Sequence, residues 1–233
     1  DLIDEVFPKM SRFMTGYNLA KVYGNSEKNF NLNYLLSGSE GTLAVLSELK
    51  LRLTDLPKYK RLLVVKYEQF DDALRDAQIL VESDPTAIET IDEKILSLAK
   101  EDEIYLKIKD FIEDEKLKSG KINRPTRTIS LIEFCGNNKN KLENQISALC
   151  KTIDAKKNKS GEATGYYKTA DLQEIKSLWS LRKKGVGLLG KTKGERKPLP
   201  FVEDTAVPPE NLAIYIRDFR KLLESYGLEY AMF

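Results

Sequence analysis

Two stretches of the sequence repeat one order of hydrophobic periods, strand then helix then strand, and this order limits the fold more than any other feature. The first runs from residues 62–67 through a helix that begins at Phe70 to a short strand at residues 87–91. The second runs from residues 128–135 through a helix to residues 162–168. A chain with this alternation packs its helices against a sheet. We therefore predict an α+β sandwich of the ferredoxin-like type, with its helices on one side of the sheet.

A glycine-rich segment, Leu36-Ser37-Gly38-Ser39-Glu40-Gly41-Thr42-Leu43, precedes this pattern. Two glycines three residues apart allow a tight turn in which main-chain N–H groups approach a ligand closely. The residues behind it alternate, with Leu49, Leu51 and Leu53 on one face, and this alternation predicts a strand. An ordinary loop that enters a sheet has the same pattern, so the residues alone leave both interpretations open. Pro57 breaks the strand pattern, and we predict a domain boundary near it.

A predicted helix near the end of the chain carries one charge within an apolar stripe. The helix begins at Asp171, the predicted N-cap, with Glu174 as its capping-box partner. The stripe combines Arg182 with apolar residues at helical spacing, which are Leu172, Ile175, Trp179, Val186 and Leu189. A guanidinium on a buried helix face requires a counter-charge or a polar cavity. Two interpretations stay open. In the structural one, Arg182 forms an internal ion pair or extends to solvent at the helix end as a snorkelling side chain. In the other, it binds a ligand carboxylate, which the planar fork of arginine matches with two hydrogen bonds.

The end of the same helix matches the Walker A phosphate-loop pattern, in which Gly185 and four further residues precede Gly190-Lys191-Thr192. A nucleotide-binding module is therefore the alternative function. A phosphate loop requires a strand before the loop and a helix after it. Here a predicted helix precedes the pattern and Pro198 follows it closely. This reversed order favours a helix end and a loop without a phosphate cradle.

Two strings in the first part of the chain resemble, in sequence and in order, the FAD-linked oxidase and dehydrogenase family of the D-lactate and D-2-hydroxyglutarate dehydrogenase type. They are Thr15-Gly16-Tyr17-Asn18-Leu19 and Gly38-Ser39-Glu40-Gly41-Thr42. Two later strings, Trp179-Ser180-Leu181-Arg182 and Asp204-Thr205-Ala206-Val207-Pro208, resemble segments that line the substrate pocket in this family. The resemblance spans nearly the whole chain. It is closest to large bacterial oxidoreductases that combine an FAD-binding domain, a cap domain and an iron–sulfur domain.

The resemblance implies a division of the chain into two parts. Residues 1–56 would be the C-terminal remnant of an FAD-binding domain. Residues 57–233 would form a substrate-binding cap domain, an antiparallel ferredoxin-like sheet with helices, truncated at its C-terminus. The chain would then be the middle fragment of a longer enzyme.

The resemblance also implies where the ligands bind. The residues that would contact FAD are Tyr17, Gly38, Ser39, Glu40, Gly41 and Thr42. Arg182 would bind the C1 carboxylate of a D-2-hydroxy acid and Lys197 a second carboxylate, with D-2-hydroxyglutarate favoured over D-lactate as substrate. Relatives can carry a hydroxyl residue one turn beyond the arginine, where this chain has Val186. The catalytic histidine and the ligands of a 4Fe-4S cluster and of a divalent metal would lie outside this chain, which contains no histidine.

The charge balance and the cysteines exclude several other classes of function. Lysine and arginine total 38 against 36 acidic residues, so no strong field favours nucleic acid or a membrane surface as partner. No apolar run reaches the roughly 18 residues of a membrane span. Cys135 and Cys150 are too few for a zinc or iron–sulfur site and predict reduced thiols in a cytoplasmic protein, which could bind peripherally at the inner membrane. The sequence leaves the electron acceptor unidentified, and Glu203 and Asp204 could act as a base, bind a metal or pair with nearby cations.

Overall fold

A computed structural model describes residues 2–7, 16–23, 30–113, 125–156, 161–190, 198–199, 202 and 205–232. Contacts divide the chain into two compact units, Asp1–Asp55 and Leu56–Phe233. In its described residues the first unit contains helix α1 (Leu2–Val6), a single 3-10 turn (Leu19–Lys21) and helix α2 (Asn33–Leu36). The assignment of the two units to an FAD-domain remnant and a cap domain remains a prediction.

The second unit contains the predicted alternation of strands and helices. Its described elements are β1 (Tyr59–Tyr67), α3 (Phe70–Glu82), β2 (Ala87–Ile91), α4 (Glu93–Lys100), α5 (Ile104–Ile112), β3 (Thr128–Gly136), α6 (Lys139–Lys156), β4 (Gly165–Thr169), α7 (Leu172–Gly190) and α8 (Pro209–Ser225). The two strand–helix–strand units are β1-α3-β2 and β3-α6-β4. Helices α4 and α5 are inserted between these units, and α7 and α8 follow them.

The four strands form one sheet in the order β2-β3-β1-β4, with every neighbouring pair antiparallel. The first and third strands lie in the centre, which is the ferredoxin-like arrangement that the sequence predicts. In the register, Leu62 of β1 lies opposite Glu133 of β3 on one side and Thr169 of β4 on the other. Glu133 lies opposite Ala87 of β2. The α+β class and the antiparallel ferredoxin-like sheet are confirmed.

Helices cover both faces of this sheet, and the prediction that they lie on one side is wrong. Leu63 and Val65 of β1 pack with α3 and α6, whereas Leu62 and Val64 pack with α4, α5 and α7. All four side chains are fully buried. A sheet with one solvated face alternates apolar and polar residues, and a continuous apolar run indicates two covered faces. The unbroken apolar run at residues 62–65 was the available signal.

The strand predicted behind the glycine-rich segment is absent. Residues 43–58 are described and contain no strand, and Leu49, Leu51 and Leu53 are exposed. A strand requires hydrogen bonds to a neighbouring strand, and the described residues of the first unit contain no strand that could supply them. The alternation of side chains is therefore insufficient to form a strand here.

Helix α7 begins as predicted but with one different contact. The Asp171 carboxylate accepts the N–H groups of Gln173 and Glu174 at 2.8 and 3.0 Å, which confirms the N-cap. The reciprocal half of the capping box is wrong. The Glu174 carboxylate accepts the hydroxyl of Tyr167 at 2.9 Å, and the N–H of Asp171 donates to Thr169 at 2.9 Å.

The buried face of α7 also differs from the predicted stripe. Among the side chains of α7 that the structure describes, the buried aliphatic ones are Ile175, Leu178, Leu181 and Leu188, whereas Leu172 is 64% exposed. One residue corresponds to about 100° around a helix, so a stripe through Trp179 and Arg182 lies to one side of a stripe through Leu178 and Leu181. Trp179 lies at the edge of the core because its indole N–H bonds to Glu133 of the sheet. Arg182 accordingly lies beside the apolar stripe and not within it.

We expect Leu181→Ala to lower the free energy of unfolding of the chain by about 2–5 kcal/mol, because a fully buried leucine leaves a cavity. Leu172→Ala, the matched control on the same helix, should cost less than about 0.5 kcal/mol because that side chain is mostly exposed. Urea unfolding measures both. Equal losses in the two variants would contradict the assigned buried face.

Candidate functional site

The first six residues of the Walker A pattern lie within a helix. Residues 185–190 belong to α7, while Lys191 and Thr192 lie outside the described residues. Inside a helix the main-chain N–H groups donate to carbonyl groups of the same helix, so they cannot form a phosphate cradle. The strand that should deliver a phosphate loop is replaced by more than three turns of helix. The structure of residues 185–190 therefore does not support the phosphate-loop alternative.

The glycine-rich segment forms a tight turn after helix α2. The N–H of Thr42 donates to the carbonyl oxygen of Ser39 at 2.9 Å, and the residues between them, Glu40 and Gly41, have φ of 48° and 78°. Positive φ at both central residues is typical of a type I′ turn. Glycine adopts this conformation without steric cost, whereas Glu40 is held where L-residues are rare. Both residues are exposed, so a ligand could meet main-chain N–H groups at the tip of the turn.

Tyr17, which belongs to the other motif of the first unit, contacts this turn. The hydroxyl of Thr42 donates to the carbonyl oxygen of Ser39 at 2.6 Å, so its oxygen accepts the Tyr17 hydroxyl proton across the 2.8 Å contact. A Cβ at Gly38 would lie 3.5 Å from the carbonyl oxygen of Gly16. The structure thus brings the six residues predicted to bind the cofactor into one cluster. Their contact with FAD remains a prediction.

A buried carboxylate occupies the α7 side of the sheet in the second unit. Glu133 of β3 is 8% exposed. Its Oε2 atom accepts the indole N–H of Trp179 at 2.9 Å, and its Oε1 atom accepts the thiol of Cys135 at 3.2 Å. The Lys60 ammonium of β1 lies 3.5 Å from Oε1 and supplies a counter-charge. The carboxylate therefore has partners from β1, from its own strand and from α7.

Arg182 lies one turn beyond Trp179 on α7 and pairs with a second carboxylate of the sheet. Its Nε atom lies 3.3 Å from Oε1 of Glu89 on β2. The side chains of Arg182 and Glu89 are 42% and 29% exposed. Of the two interpretations left open by the sequence, the ion pair is therefore present. A role for this half-exposed side chain in binding a ligand carboxylate remains a prediction.

Several predicted residues cannot be placed. Lys197, Glu203 and Asp204 lie outside the described residues, as does the side chain of Val186. The predicted proximity of Lys197 to Arg182 therefore stays a prediction.

The sequence analysis missed Glu89 and Glu133, although a signal for both was present. Each is a carboxylate at a position of a strand whose same-face neighbours, Ile91 and Leu131, are buried. Side chains two residues apart lie on one face of a strand. A charge at such a position indicates a partner on the covering helix, which is the argument that identified Arg182 on α7.

Burial raises the pKa of the Cys135 thiol, and the hydrogen bond to the Glu133 carboxylate raises it further. A protonated thiol is a weak nucleophile. Cys135 therefore acts here as a hydrogen-bond donor, and the carboxylate of Glu133 stabilises its protonated form.

We expect Glu133→Gln to lower the pKa of Cys135, because the substitution removes the negative charge that opposes thiolate formation. The pKa should stay above that of an exposed thiol, since burial is the larger cause. The pKa of each cysteine can be measured from the pH dependence of its rate of iodoacetamide labelling, followed by mass spectrometry. Cys150 is the internal control, because burial raises its pKa without Glu133. An unchanged or higher Cys135 pKa would contradict the contact.

The described residues show neither a membrane span nor a metal cluster. No helix in this part of the chain is long and apolar enough to cross a bilayer. Within the same residues, no three His, Cys, Asp or Glu side chains are grouped as metal ligands. The predicted iron–sulfur cluster and divalent metal have their ligands assigned outside this chain, so this finding does not test them.

Comparison with known proteins identifies the family. Residues 56–233 match the family described as FAD linked oxidases, C-terminal domain. Because this match covers most of the chain, the chain belongs to that family. An alkyldihydroxyacetonephosphate synthase structure is a distant neighbour, with 18% identity, a TM-score of 0.43 and coverage of 82% of this chain and 29% of that one.

The curated relatives share the sequence across both units. A D-2-hydroxyglutarate dehydrogenase of Haemophilus influenzae is 45% identical over 97% of this chain, and one of Escherichia coli is 42% identical over 100% of it. The chain spans 22% of the length of each. A glycolate oxidase subunit GlcD of Bacillus subtilis is 25% identical over 94% of this chain and 41% of its own length.

Proposed function

We propose that this chain is part of an FAD-dependent dehydrogenase that oxidises a D-2-hydroxy acid to the 2-oxo acid, with D-2-hydroxyglutarate favoured over D-lactate. The observation that carries the proposal is Arg182, a half-exposed arginine side chain at the edge of a buried helix face. The substrate class is supported by relatives named D-2-hydroxyglutarate dehydrogenase at 41–45% identity along the whole chain.

Arg182 would bind the C1 carboxylate of the substrate with two parallel hydrogen bonds. Lys197 would bind the second carboxylate, which D-lactate lacks. Fixing the acid at both ends holds the α-carbon in one orientation, and such positioning lowers the barrier of the chemical step. The chain contains no histidine, and the resemblance assigns the base that removes the hydroxyl proton to a histidine elsewhere in the protein.

The turn at residues 39–42 fits a role in binding FAD. Its two central residues have positive φ, so successive N–H groups can converge on an acceptor atom of a ligand. The Tyr17 hydroxyl, held by Thr42, fixes one side of this turn. Bound FAD would supply the acceptor for the hydride from the α-carbon. A 4Fe-4S cluster and a divalent metal are further parts of the proposal that rest on the resemblance alone. A cytoplasmic location, with peripheral contact at the inner membrane, is also part of the proposal, and the two cysteines support the cytoplasmic location.

In the FAD-loaded protein that contains this chain, we expect Arg182→Lys to lower kcat/KM for D-2-hydroxyglutarate. The decrease should correspond to a loss of about 1.5–3 kcal/mol of transition-state stabilisation. The charge is kept, but the planar fork that makes two hydrogen bonds is lost. Arg182→Ala should cost more, and the flavin content, measured by visible absorbance, should stay normal in both variants.

Lys184→Gln is the matched control for these variants. It breaks another ion pair of α7, in which Lys184 lies 3.0 Å from Asp102, and should leave kcat/KM unchanged. If both Arg182 variants keep wild-type kinetics and only lose stability against urea, then Arg182 is structural and the proposed substrate site is wrong.

A further inference from the structure

Two carboxylates of the sheet contact side chains of helix α7 that are three residues apart. Glu133 accepts the indole N–H of Trp179, and Glu89 pairs with Arg182 three residues later. Glu133 lies opposite Ala87, which is two residues before Glu89, so both carboxylates lie on the same face of adjacent strands. Glu89 lies opposite Leu131, so the two carboxylates are diagonal neighbours, one strand and two residues apart. Their partners on α7 are three residues apart.

This attachment at two points limits how α7 can move on the sheet. A helix held at one point by a polar contact could still rotate about its axis or slide. Contacts at Trp179 and Arg182, together with the buried Leu178 and Leu181, oppose both motions. The position of the Arg182 side chain is therefore determined by the sheet as well as by its own helix.

Glu89 itself lies on a strand that is paired along its whole length. Strand β2 pairs with β3 along all five of its residues, from Ala87 to Ile91. The hydroxyls of Thr90 and Ser130 add a side-chain contact of 2.9 Å between the same two strands. A binding group that is supported by a residue on a paired strand keeps its geometry better than one supported by a loop.

We propose that Glu89 is a positioning residue for Arg182, an inference that rests on the proposed function of this arginine. A long, half-exposed arginine side chain populates many rotamers, and ordering it on binding costs affinity. The Glu89 carboxylate, 3.3 Å from Nε, reduces this freedom before the ligand arrives. The arginine then presents its guanidinium to the substrate carboxylate in a preorganised orientation. Glu89 itself would not touch the substrate.

Glu89 also places a negative charge near the incoming carboxylate, and this repulsion opposes its orienting effect. The two effects can be separated by substitution. Glu89→Gln removes the charge but keeps a side chain of the same size, with an amide oxygen in place of the carboxylate oxygen that lies 3.3 Å from Nε. Glu89→Ala removes both. A positioning role therefore predicts that glutamine preserves function and alanine does not.

The test is a double-mutant cycle in the FAD-loaded protein that contains this chain. We expect Glu89→Ala to raise KM for D-2-hydroxyglutarate about tenfold, and Glu89→Gln to stay within about twofold of wild type. In the Arg182→Ala background, Glu89→Ala should change KM by less than about twofold, because the group that it positions is absent. Calorimetric titration with 2-oxoglutarate should give the same pattern in Kd, independently of turnover.

Glu143→Ala is the matched control. Glu143 of α6 pairs with Arg61 at 2.7 Å on the opposite side of the sheet, so its loss removes a similar ion pair without affecting Arg182. This variant should keep wild-type KM. Urea unfolding of each variant shows whether it is folded.

The outcomes separate the inference from the proposed function. Equal losses from Glu89→Ala with and without Arg182, or a wild-type KM for Glu89→Ala in a protein that Arg182→Ala impairs, would overturn the positioning role alone. A wild-type KM and Kd for Arg182→Ala would overturn the proposed function. Failure of Glu89→Gln to rescue the alanine variant would show that charge and not orientation matters, and would also overturn the positioning role.

Discussion

A charge on a sheet that is covered on both faces must find its partners within the protein, and Glu133 is the point at which this constraint acts. Its carboxylate is nearly buried, and leaving it without partners would cost several kcal/mol. Trp179, Cys135 and Lys60 satisfy it. Because Trp179 is one of these partners, the requirement of a buried charge fixes where α7 lies on the sheet. The position of Arg182 follows from this.

The sequence predicts the strand–helix order well because each element has a long and regular hydrophobic period. It fails where the period is ambiguous by one residue, as on α7, where the stripe through Leu178 and Leu181 and the stripe through Trp179 and Arg182 both fit helical spacing. The packing of Leu178 and Leu181 in the core, with Trp179 at its edge against Glu133, decides between them. It fails also for residues 43–58, because alternation alone does not supply a strand with a neighbour.

In the candidate site, too, some features depend on neighbouring residues of the sequence and others on residues far apart in it. The turn at residues 39–42 is favoured locally by Gly41, which adopts positive φ without steric cost, and the Tyr17 hydroxyl contacts this turn at Thr42. The Arg182–Glu89 pair joins residues 93 positions apart in sequence through the pairing of β2 with β3. No local sequence pattern predicts that β2 pairs with β3. A charge at a buried position can predict that a partner exists, but only the topology shows which residue it is.

The most direct test of the central claim is a crystal structure of the FAD-loaded protein that contains this chain, with D-2-hydroxyglutarate bound after reduction of the flavin. The account predicts a substrate carboxylate about 2.7–2.9 Å from the Arg182 guanidinium, with Glu89 still paired to the same arginine and the turn at residues 39–42 in contact with FAD. A substrate bound away from α7, or an Arg182 that contacts Glu89 and no ligand atom, would contradict it.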